Sequence, residues 1–317
     1  MRNSERPAYA SIVSSTSPIP RGLNRASIGL TISRMAVIAP VRPSLLHTAF
    51  LEAFADYAMD ASSATEEQLL LRMRKNCVAY DISPGLYDGD RLVGFTLIGI
   101  DEWGGCRTAF DAGTGIVAAF RKQGWAKRMF DHALPMLRAR GVEQFVLEAL
   151  KGNEPAIRAY RRSGFEISRE FRCFTASTQT VRERPAGPLP IHVVSSDTVD
   201  DLQEATDWLP SFENRFTAPA AVPEQVISHG AFAADRCIGI ATYLPILNWL
   251  LTLLVHPDVR RRGIGRSLLQ RVATQIPDTI CNLSVLNVDA SDTGMQGFLQ
   301  QCGFGHLVDQ VEMRRTI

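Results

Sequence analysis

The sequence predicts an α/β (α+β) fold in which one domain occurs twice, each copy a mixed, mostly antiparallel sheet flanked by helices. The first observation is an internal repeat: Gly124 matches Gly263 and Gly164 matches Gly303, both at an offset of 139 residues. The second is that each copy places antiparallel strands before one strand-helix-strand unit. The third is composition. Of 317 residues, 45% are apolar and 21% charged, a balance that indicates a globular chain and excludes wholesale disorder.

The repeat also sets the domain boundaries. Residues 35–175 form the predicted N-terminal domain and residues 190–317 the C-terminal domain, each of ordinary domain size. Residues 176–189 collect Thr, Ser, Arg, Gly and Pro, a composition typical of a linker. Residues 1–34 carry five arginines and one acid. This composition indicates a flexible basic tail or, alternatively, a segment that contacts a membrane surface.

In the N-terminal copy the elements follow from local patterns. Apolar residues at helical spacing predict helices over 45–57 and 65–75. Asp88-Gly89 predicts a hairpin turn, and strands are predicted over 92–100 and 108–117. A helix over 125–140 ends at Gly141, and a strand over 144–149 follows. A helix opening with proline over 155–163 and a strand over 166–174 complete the copy.

The C-terminal copy repeats this order. Strands are predicted over 231–234, 237–244, 248–255, 280–288 and 305–313, with helices over 263–275 and 294–302. The stretch from Cys237 to Pro257 has no formally charged residue and is about long enough to cross a bilayer. Pro245 and Asn248 interrupt it, and both favour turns. Two buried strands joined by a short loop are therefore predicted instead of a membrane span.

The cysteines indicate the compartment in which the protein works, and the net charge indicates which partners to expect. The six cysteines occur singly without a Cys-x-x-Cys pair, so neither a disulfide framework nor a metal site is predicted. A cytoplasmic protein is therefore expected, because a reducing compartment suits free thiols and the N-terminal residues resemble a secretory signal poorly. The formal net charge of +1 argues against a surface built for nucleic acid. We expect neither nucleic acid nor a membrane as partner, and the sequence leaves the oligomeric state open.

The repeated motif predicts an anion site. Arg121-x-x-Gly124-x-Ala126 lies where a strand ends and a helix begins, and Arg260-x-x-Gly263-x-Gly265 is its counterpart. A helix N-terminus offers unpaired N–H groups and partial positive charge. Small residues let an anion approach that backbone closely. The arginines and lysines around both loops add positive charge, so each loop is a candidate pyrophosphate site.

A strand followed by [Gln/Arg]-x-x-Gly-x-[Gly/Ala], and then by Asn153, Tyr160 and Gly164-Phe165, resembles the GNAT N-acetyltransferase superfamily. The resemblance extends over both copies and implies two tandem GNAT domains, acetyl-CoA as co-substrate and a primary amine as acceptor. It also implies the residues that contact the coenzyme. In the N-terminal copy they are Ile116, Val117, Arg121, Lys122, Gln123, Gly124, Trp125, Ala126, Lys127 and Asn153. In the C-terminal copy they are Val255, Arg261, Arg262, Gly263, Ile264, Gly265 and Arg266.

Two catalytic residues follow from the same resemblance. Tyr160 takes the position of the tyrosine that protonates the departing thiolate, and Glu148 resembles the glutamate that acts as base in ribosomal-protein N-terminal acetyltransferases. An amine must be neutral to attack a thioester, so a carboxylate has to remove its proton. Other carboxylates remain alternatives for the base, at Asp101, Glu102 and Asp111. Aromatic residues at Trp103 and in the segment 208–214 either line the acceptor site or pack in the core.

The C-terminal copy lacks these catalytic side chains. At the offset of 139, Glu148, Tyr160 and Asn153 become Asn287, Leu299 and Asp292. We therefore expect catalysis in the N-terminal copy and a C-terminal copy that still binds coenzyme or completes the acceptor pocket. A small-molecule amine is the favoured acceptor, and a protein N-terminus or lysine is the alternative. A coenzyme-binding regulatory or scaffold protein without turnover is the rival function.

Overall fold

A computed structural model describes residues 36–56, 62–184, 187 and 189–317, and in it the chain forms one sheet of twelve strands. The predicted tail over 1–34 lies outside the described residues. The N-terminal repeat contains β1 (Val37–Pro40), α1 (Pro43–Phe54), α2 (Glu66–Lys75), β2 (Pro84–Asp88), β3 (Arg91–Trp103), β4 (Cys106–Ile116), α3 (Trp125–Ala139), β5 (Gln144–Leu150), α4 (Glu154–Arg162) and β6 (Glu166–Ser177). A short helix, α5 (Thr178–Arg182), follows within the predicted linker.

The C-terminal repeat shows the same succession of strands, but 3₁₀ segments, the longest over Ser196–Ala205, stand where the N-terminal repeat has α1 and α2. Its elements are β7 (Ile191–Val194), β8 (Ile227–Ala233), β9 (Arg236–Leu244), β10 (Trp249–Val255), α6 (Ile264–Gln275), β11 (Asn282–Asp289), α7 (Thr293–Gln301) and β12 (Gly305–Thr316). The predicted fold class, with two repeats and a mostly antiparallel sheet flanked by helices, is confirmed. The sequence patterns missed β1, β7 and α5, because elements of four or five residues are too short to show a period.

Local chemistry fixes the ends of several helices. Thr65 accepts a hydrogen bond from the backbone N–H of Gln68, whose side chain accepts one in return, so α2 begins with a capping box. Gly141 follows the end of α3 with φ +69°, a conformation that glycine adopts without a Cβ clash. No helix in the described part of the chain is long and apolar enough to cross a bilayer.

The last strand of each repeat lies in the sheet of the other repeat. The strand order is β1-β2-β3-β4-β5-β12-β6-β11-β10-β9-β8-β7. Thus β12 pairs with β5, and β6 pairs with β11, while β6 and β12 pair antiparallel with each other at the centre. Gly305 lies opposite Thr175 and Arg314 opposite Glu166, which makes the exchange symmetric between the repeats. The predicted limits 35–175 and 190–317 therefore describe where each repeat begins and ends in the sequence, whereas the strands of both repeats belong to one sheet.

The parallel strands of each repeat pair over only part of their length. Residues 108–111 of β4 pair with residues 144–147 of β5, and residues 249–250 of β10 pair with residues 284–285 of β11. A bulge comes next in both repeats, at Ala112 in β4 and at Leu251 in β10. A bulge bends its strand and ends regular pairing. Each repeat therefore has a gap in its sheet beside the end of β4 or β10, and this gap positions the site.

Candidate functional site

The loops before α3 and α6 have the same backbone conformation. Lys122 and Arg261 have φ values of 61° and 64°, and Gly124 and Gly263 have φ values of 79° and 85°. Both glycines are N-caps of helices without a side-chain cap. A Cβ at either glycine would meet no atom within 4 Å, so the space beside each N-cap is open. This geometry suits a phosphate, since helix N-termini attract anions.

An arginine fastens each loop to the strand that precedes it. The Nε of Arg121 donates to the carbonyl of Ile116 at 2.8 Å, and the Nε of Arg260 donates to the carbonyl of Val255 at 3.0 Å. Each guanidinium group also pairs with an aspartate, Asp56 in the first case and Asp207 in the second. These contacts give both arginines a structural role in shaping the loop. The predicted contact of Arg121 with a coenzyme stays a prediction.

Other predicted coenzyme residues of the N-terminal repeat lie around this loop. The Nε1 of Trp125 donates to Oε1 of Gln123 at 3.2 Å. The side chain of Lys127 pairs with Asp131 at 2.6 Å on the exposed face of α3. Lys122, Gln123 and Lys127 are exposed, whereas Trp125 and Ala126 are half-buried. Trp125, Ile116 and Val117 pack against one apolar cluster, so the end of β4 and the start of α3 form one wall.

A cavity of about 590 Å³ opens in the C-terminal repeat between β10 and β11. Its lining includes six of the residues predicted there, namely Val255, Arg261, Gly263, Ile264, Gly265 and Arg266. Arg262, the remaining predicted residue, is exposed outside this lining. Leu250, Leu286 and Leu299 supply part of the apolar wall, and Asn287 lies at the same wall. The cavity thus joins the loop before α6 to the gap in the sheet.

Glu148 lies half-buried on β5, where the two repeats meet. Its Oε2 accepts a hydrogen bond from Nδ2 of Asn287 at 2.5 Å, and its Oε1 accepts one from the backbone N–H of Glu213 at 3.4 Å. Burial raises the pKa of Glu148 to about 8, and the carboxylates of Glu213 and Glu312 contribute to the rise. A carboxyl group with this pKa exchanges its proton near neutral pH, which suits a general base.

Glu213, which comes from the C-terminal repeat, is the charged neighbour of Glu148. It is 2% exposed and pairs with Arg72 at 2.9 Å and with Lys75 at 3.1 Å, both on α2 of the N-terminal repeat. Burial acts to raise the pKa of Glu213, but the charges of Arg72 and Lys75 outweigh it and hold that pKa far below its ordinary value. Glu213 therefore stays ionised, and Glu148 is the member of the pair that titrates near neutral pH.

Tyr160 lies on α4 at the opposite face of β5. Its ring packs edge-on against Phe130 and Phe165, with ring centroids 6.0 and 6.1 Å apart. Its side chain hydrogen-bonds to Asp111, which lies immediately before the bulge in β4. Burial raises the pKa of Asp111 to about 6, although hydrogen bonds from Thr114 and the backbone of Gly113 favour its charged form. Tyr160 and Asp111 therefore meet at the gap in the sheet.

Asn153 caps the N-terminus of α4. Its Oδ1 accepts a hydrogen bond from the backbone N–H of Ala156 at 3.2 Å. Asp292 caps α7 in the same way and accepts from the backbone N–H of Met295 at 2.8 Å. The two positions share a capping role that the sequence comparison did not foresee. The predicted contact of Asn153 with the pantetheine arm stays a prediction.

The alternative carboxylates have partners of their own. Asp101 accepts from Nε of Arg215 at 2.5 Å. Burial acts to raise the pKa of Asp101, but the hydrogen bond and charge of Arg215 outweigh it and keep that pKa low. Glu102 pairs with Arg107 at 3.4 Å on the surface. Both are weaker candidates for a base than Glu148, because one is held ionised and the other is solvated.

The aromatic candidates pack between the repeats. Trp103 is 4% exposed, and its Nε1 donates to the carbonyl of Pro210 at 3.0 Å. Phe212 of the segment 208–214 stacks on Phe110 with ring centroids 4.6 Å apart. Phe212 therefore packs in the core, while other residues of its segment, Trp208 to Ser211 and Asn214, line the C-terminal cavity.

A comparison with known protein families finds one family, which matches two parts of the chain. The Acetyltransferase (GNAT) family matches residues 44–165 and again residues 194–304. The chain belongs to the GNAT acetyltransferase family. Both GNAT repeats recognised in the sequence are thereby confirmed, and the fold is one that supports acyl transfer. A search of curated proteins gives no significant match.

Solved structures share the fold of both GNAT repeats together. A GCN5-related N-acetyltransferase from Sphaerobacter thermophilus has a TM-score of 0.64 at 14% identity, covering 89% of this chain and 95% of that one. A tandem GNAT protein from the clavulanic acid biosynthesis pathway has a TM-score of 0.64 at 15% identity, covering 89% and 98%. A GCN5-related N-acetyltransferase from Kribbella flavida has a TM-score of 0.55 at 15% identity, covering 90% and 72%. These likenesses concern the tandem GNAT fold.

Two residues near the centre of this GNAT protein were not recognised from the sequence as partners of Glu148. Asn287 is the residue that the 139-residue offset matches to Glu148 itself, so the repeat contained a signal for it. The exchange of β6 and β12 was the missing information, since it brings the two equivalent positions together. Glu213 lies in a segment without a recognisable pattern, and only the structure reveals its contacts with α2.

Proposed function

We propose that this GNAT protein is an N-acetyltransferase that moves the acetyl group of acetyl-CoA to a primary amine, and that the N-terminal repeat carries the reaction. The observation that supports the proposal is the arrangement around the gap beside β4 and β5. Glu148 lies at one face of β5, on the side of Val146 and the cluster around α1. Tyr160 lies at the other face, with Leu147 and the cluster around α3. Side chains alternate along a strand, so a base and an acid reach the gap from opposite sides.

The loop before α3 fits the diphosphate of the coenzyme. Gly124 leaves the N-terminus of α3 open, and a Cβ there would meet nothing within 4 Å. Lys122 and Lys127 are exposed at the same loop and supply positive charge. Acetyl-CoA supplies the acetyl group as a thioester. In the proposal the residues that hold it are Ile116, Val117, Lys122, Gln123, Gly124, Trp125, Ala126, Lys127 and Asn153, while Arg121 holds the loop in shape.

Proton transfer is assigned to the two residues that face the gap. Glu148, with a pKa raised to about 8, takes the proton of the acceptor ammonium group. Because this pKa lies above neutrality, activity should increase as the pH rises toward 8 and Glu148 loses its proton. Tyr160 donates its hydroxyl proton to the departing thiolate, and Asp111 orients that hydroxyl. Asp111, with a pKa raised to about 6, is the alternative base.

The C-terminal repeat is proposed to bind the coenzyme without turnover. Its cavity reaches Gly263, Gly265 and Arg266, so the contacts for a diphosphate are available. The positions equivalent to Tyr160 and Asp111 are Leu299 and Leu250, which cannot transfer protons. Binding without chemistry is therefore the function that these residues support.

The acceptor is proposed to be a small molecule. Phe212 and Glu213 of the C-terminal repeat cover the face of the N-terminal sheet from which Glu148 reaches the gap. Such a cover favours a compact amine over a folded protein surface. The class of amine stays open, since Glu148 and Asp111 would both accept a cationic acceptor.

Measurement of thiol release from acetyl-CoA against a panel of amines tests the proposal. Tyr160→Phe should lower kcat about 100-fold, because general acid catalysis typically contributes at least that factor. Tyr80→Phe is the matched control, since Tyr80 is a half-buried tyrosine of the N-terminal core that the proposal gives no role, and it should retain activity. Absence of thiol release with every amine, despite tight coenzyme binding, would favour the regulatory protein instead.

A further inference from the structure

Asn287 occupies an unusual place in β11. It has a φ of +56°, a left-handed conformation in which asparagine is among the few tolerated residues. The pairing of β11 with β6 shifts register between Val285 and Val288, so Asn287 lies within a bulge. A bulge re-aims the side chain of its strand. In β5 the pairing with β12 is regular through Glu148, so the bulge belongs to the C-terminal repeat alone.

All hydrogen-bonding groups of the Asn287 side chain have partners. Its Nδ2 donates to Oε2 of Glu148 at 2.5 Å and to Oγ of Ser211 at 3.2 Å. Its Oδ1 accepts from the thiol of Cys173 at 3.6 Å. Asn287 is only 7% exposed, so these contacts fix the orientation of the amide. One of its two N–H bonds is thereby directed at the carboxylate of the proposed base.

The repeat explains why an amide suits this position. Glu148 and Asn287 are equivalent at the offset of 139, and the exchanged strands bring them into contact. Two carboxylates here would repel each other, and one of them would hold a proton. An amide in place of one carboxylate removes this repulsion and supplies a donor to the other.

We infer that Asn287 of the C-terminal repeat is a positioning residue for Glu148, so that the N-terminal site is incomplete without the C-terminal repeat. The inference rests on the proposed function, in which Glu148 is the base. The amide fixes the orientation of the carboxylate and favours its ionised form, because a donor stabilises the charged oxygen. The C-terminal repeat then contributes Asn287 to the site of the N-terminal repeat, and Asn287 is the position at which the C-terminal repeat lacks a base of its own.

Other charged and titratable groups also face Glu148 and set its proton affinity. They are Lys75 from α2, Glu213 from the segment before β8, Glu312 from β12 with its partner Arg169 on β6, and Cys173 on β6. Replacement of Asn287 leaves the charged groups among them in place. It also removes the contacts of Asn287 with Ser211 and with the thiol of Cys173, but neither of these reaches the carboxylate of Glu148, so a change in the titration of Glu148 would report the loss of its own contact with the amide.

The pH dependence of kcat for thiol release in the full chain tests the inference. Asn287→Ala should move the acid limb of the profile upward by about one pH unit, because it removes a donor to the carboxylate. At pH 7 this shift corresponds to an approximately tenfold loss of kcat, with the KM for acetyl-CoA unchanged. Asn287→Asp tolerates the left-handed backbone but opposes a second carboxylate to Glu148, so it should move the limb further.

Gln296→Glu is the matched control. Gln296 is a buried amide of the same repeat, bonded to the carbonyls of Asp289 and Ala290 rather than to Glu148, so the acid limb should stay in place. An active protein whose Asn287 variants keep the wild-type limb would overturn this inference alone, even if kcat fell uniformly at every pH. A wild-type protein that releases no thiol with any amine would instead overturn the proposed function, and the inference with it.

Discussion

The two repeats share the backbone conformation of the loop before α3 or α6 and differ in the side chains beside it. Both have a fastened loop with left-handed residues at matching positions, a bulge in the strand before it and an asparagine or aspartate cap on the following helix. Along the gap, the N-terminal repeat has Asp111, Glu148 and Tyr160, where the C-terminal repeat has Leu250, Asn287 and Leu299. The features proposed to bind a diphosphate are thus present twice, and the groups proposed to move protons are present once.

The contacts between α2 and the C-terminal repeat are of two kinds, one charged and one apolar. Residues of α2 meet the C-terminal repeat through charges at one place, where Arg72 and Lys75 pair with Glu213. At another place the contact is apolar, and Leu71 packs with Leu247 and Trp249. The charged contact lies beside Glu148, and Arg72 connects it to the apolar contact, with its guanidinium group 5.7 Å from the ring centroid of Trp249. The buried charges between the repeats, at Lys75 and Glu213, therefore lie beside Glu148, where they influence the pKa of the proposed base.

Removal of Glu213 should have the largest effect on stability. Glu213→Ala leaves Lys75, which is fully buried, without its carboxylate. Breaking a buried ion pair from one side typically costs about 3–5 kcal/mol. Urea unfolding of the variant should show this loss in the free energy of unfolding. Glu213→Leu combined with Lys75→Met removes both charges and should recover most of it, and an equal loss in the double variant would contradict the role of the charges.

Substitution of the equivalent loop glycines tests which repeat carries the activity. Gly124→Val and Gly263→Val place a branched Cβ at a left-handed position on the coenzyme side of each loop. We expect Gly124→Val to lower kcat/KM for acetyl-CoA about 100-fold or more, since phosphate can no longer approach the backbone. Gly263→Val should leave thiol release within about threefold of wild type.

Calorimetric titration with CoA gives the stoichiometry for the same pair of variants. The wild type should bind at two sites and each variant at one. If Gly263→Val abolished thiol release while Gly124→Val retained it, the assignment of catalysis to the N-terminal repeat would be reversed.

Much of the fold was accessible from the sequence because it depends on local patterns. Gly141 and the caps of α2 and α3 obey rules that act over a few residues, and the offset of 139 revealed the duplication. The exchange of β6 and β12 was not accessible, because a strand's own residues do not specify which neighbouring strand pairs with it. The contacts of Glu148 depend on that exchange, so the sequence identified Glu148 as a candidate base but did not show that Asn287 and Glu213 contact it.

The smallest effects are expected at Asn153 and Asp292, where alanine variants distinguish helix capping from coenzyme binding. Alanine at either position removes the side chain that accepts from the first turn of its helix, at Ala156 or Met295. Loss of an N-cap typically costs about 1 kcal/mol, so both variants should lose a similar free energy of unfolding in urea. Asn153→Ala should in addition raise the KM for acetyl-CoA about tenfold, because Asn153 is proposed to contact the pantetheine arm. Asn153→Ser keeps a cap with a shorter side chain. A wild-type KM in Asn153→Ala would reduce Asn153 to the capping role that Asp292 has.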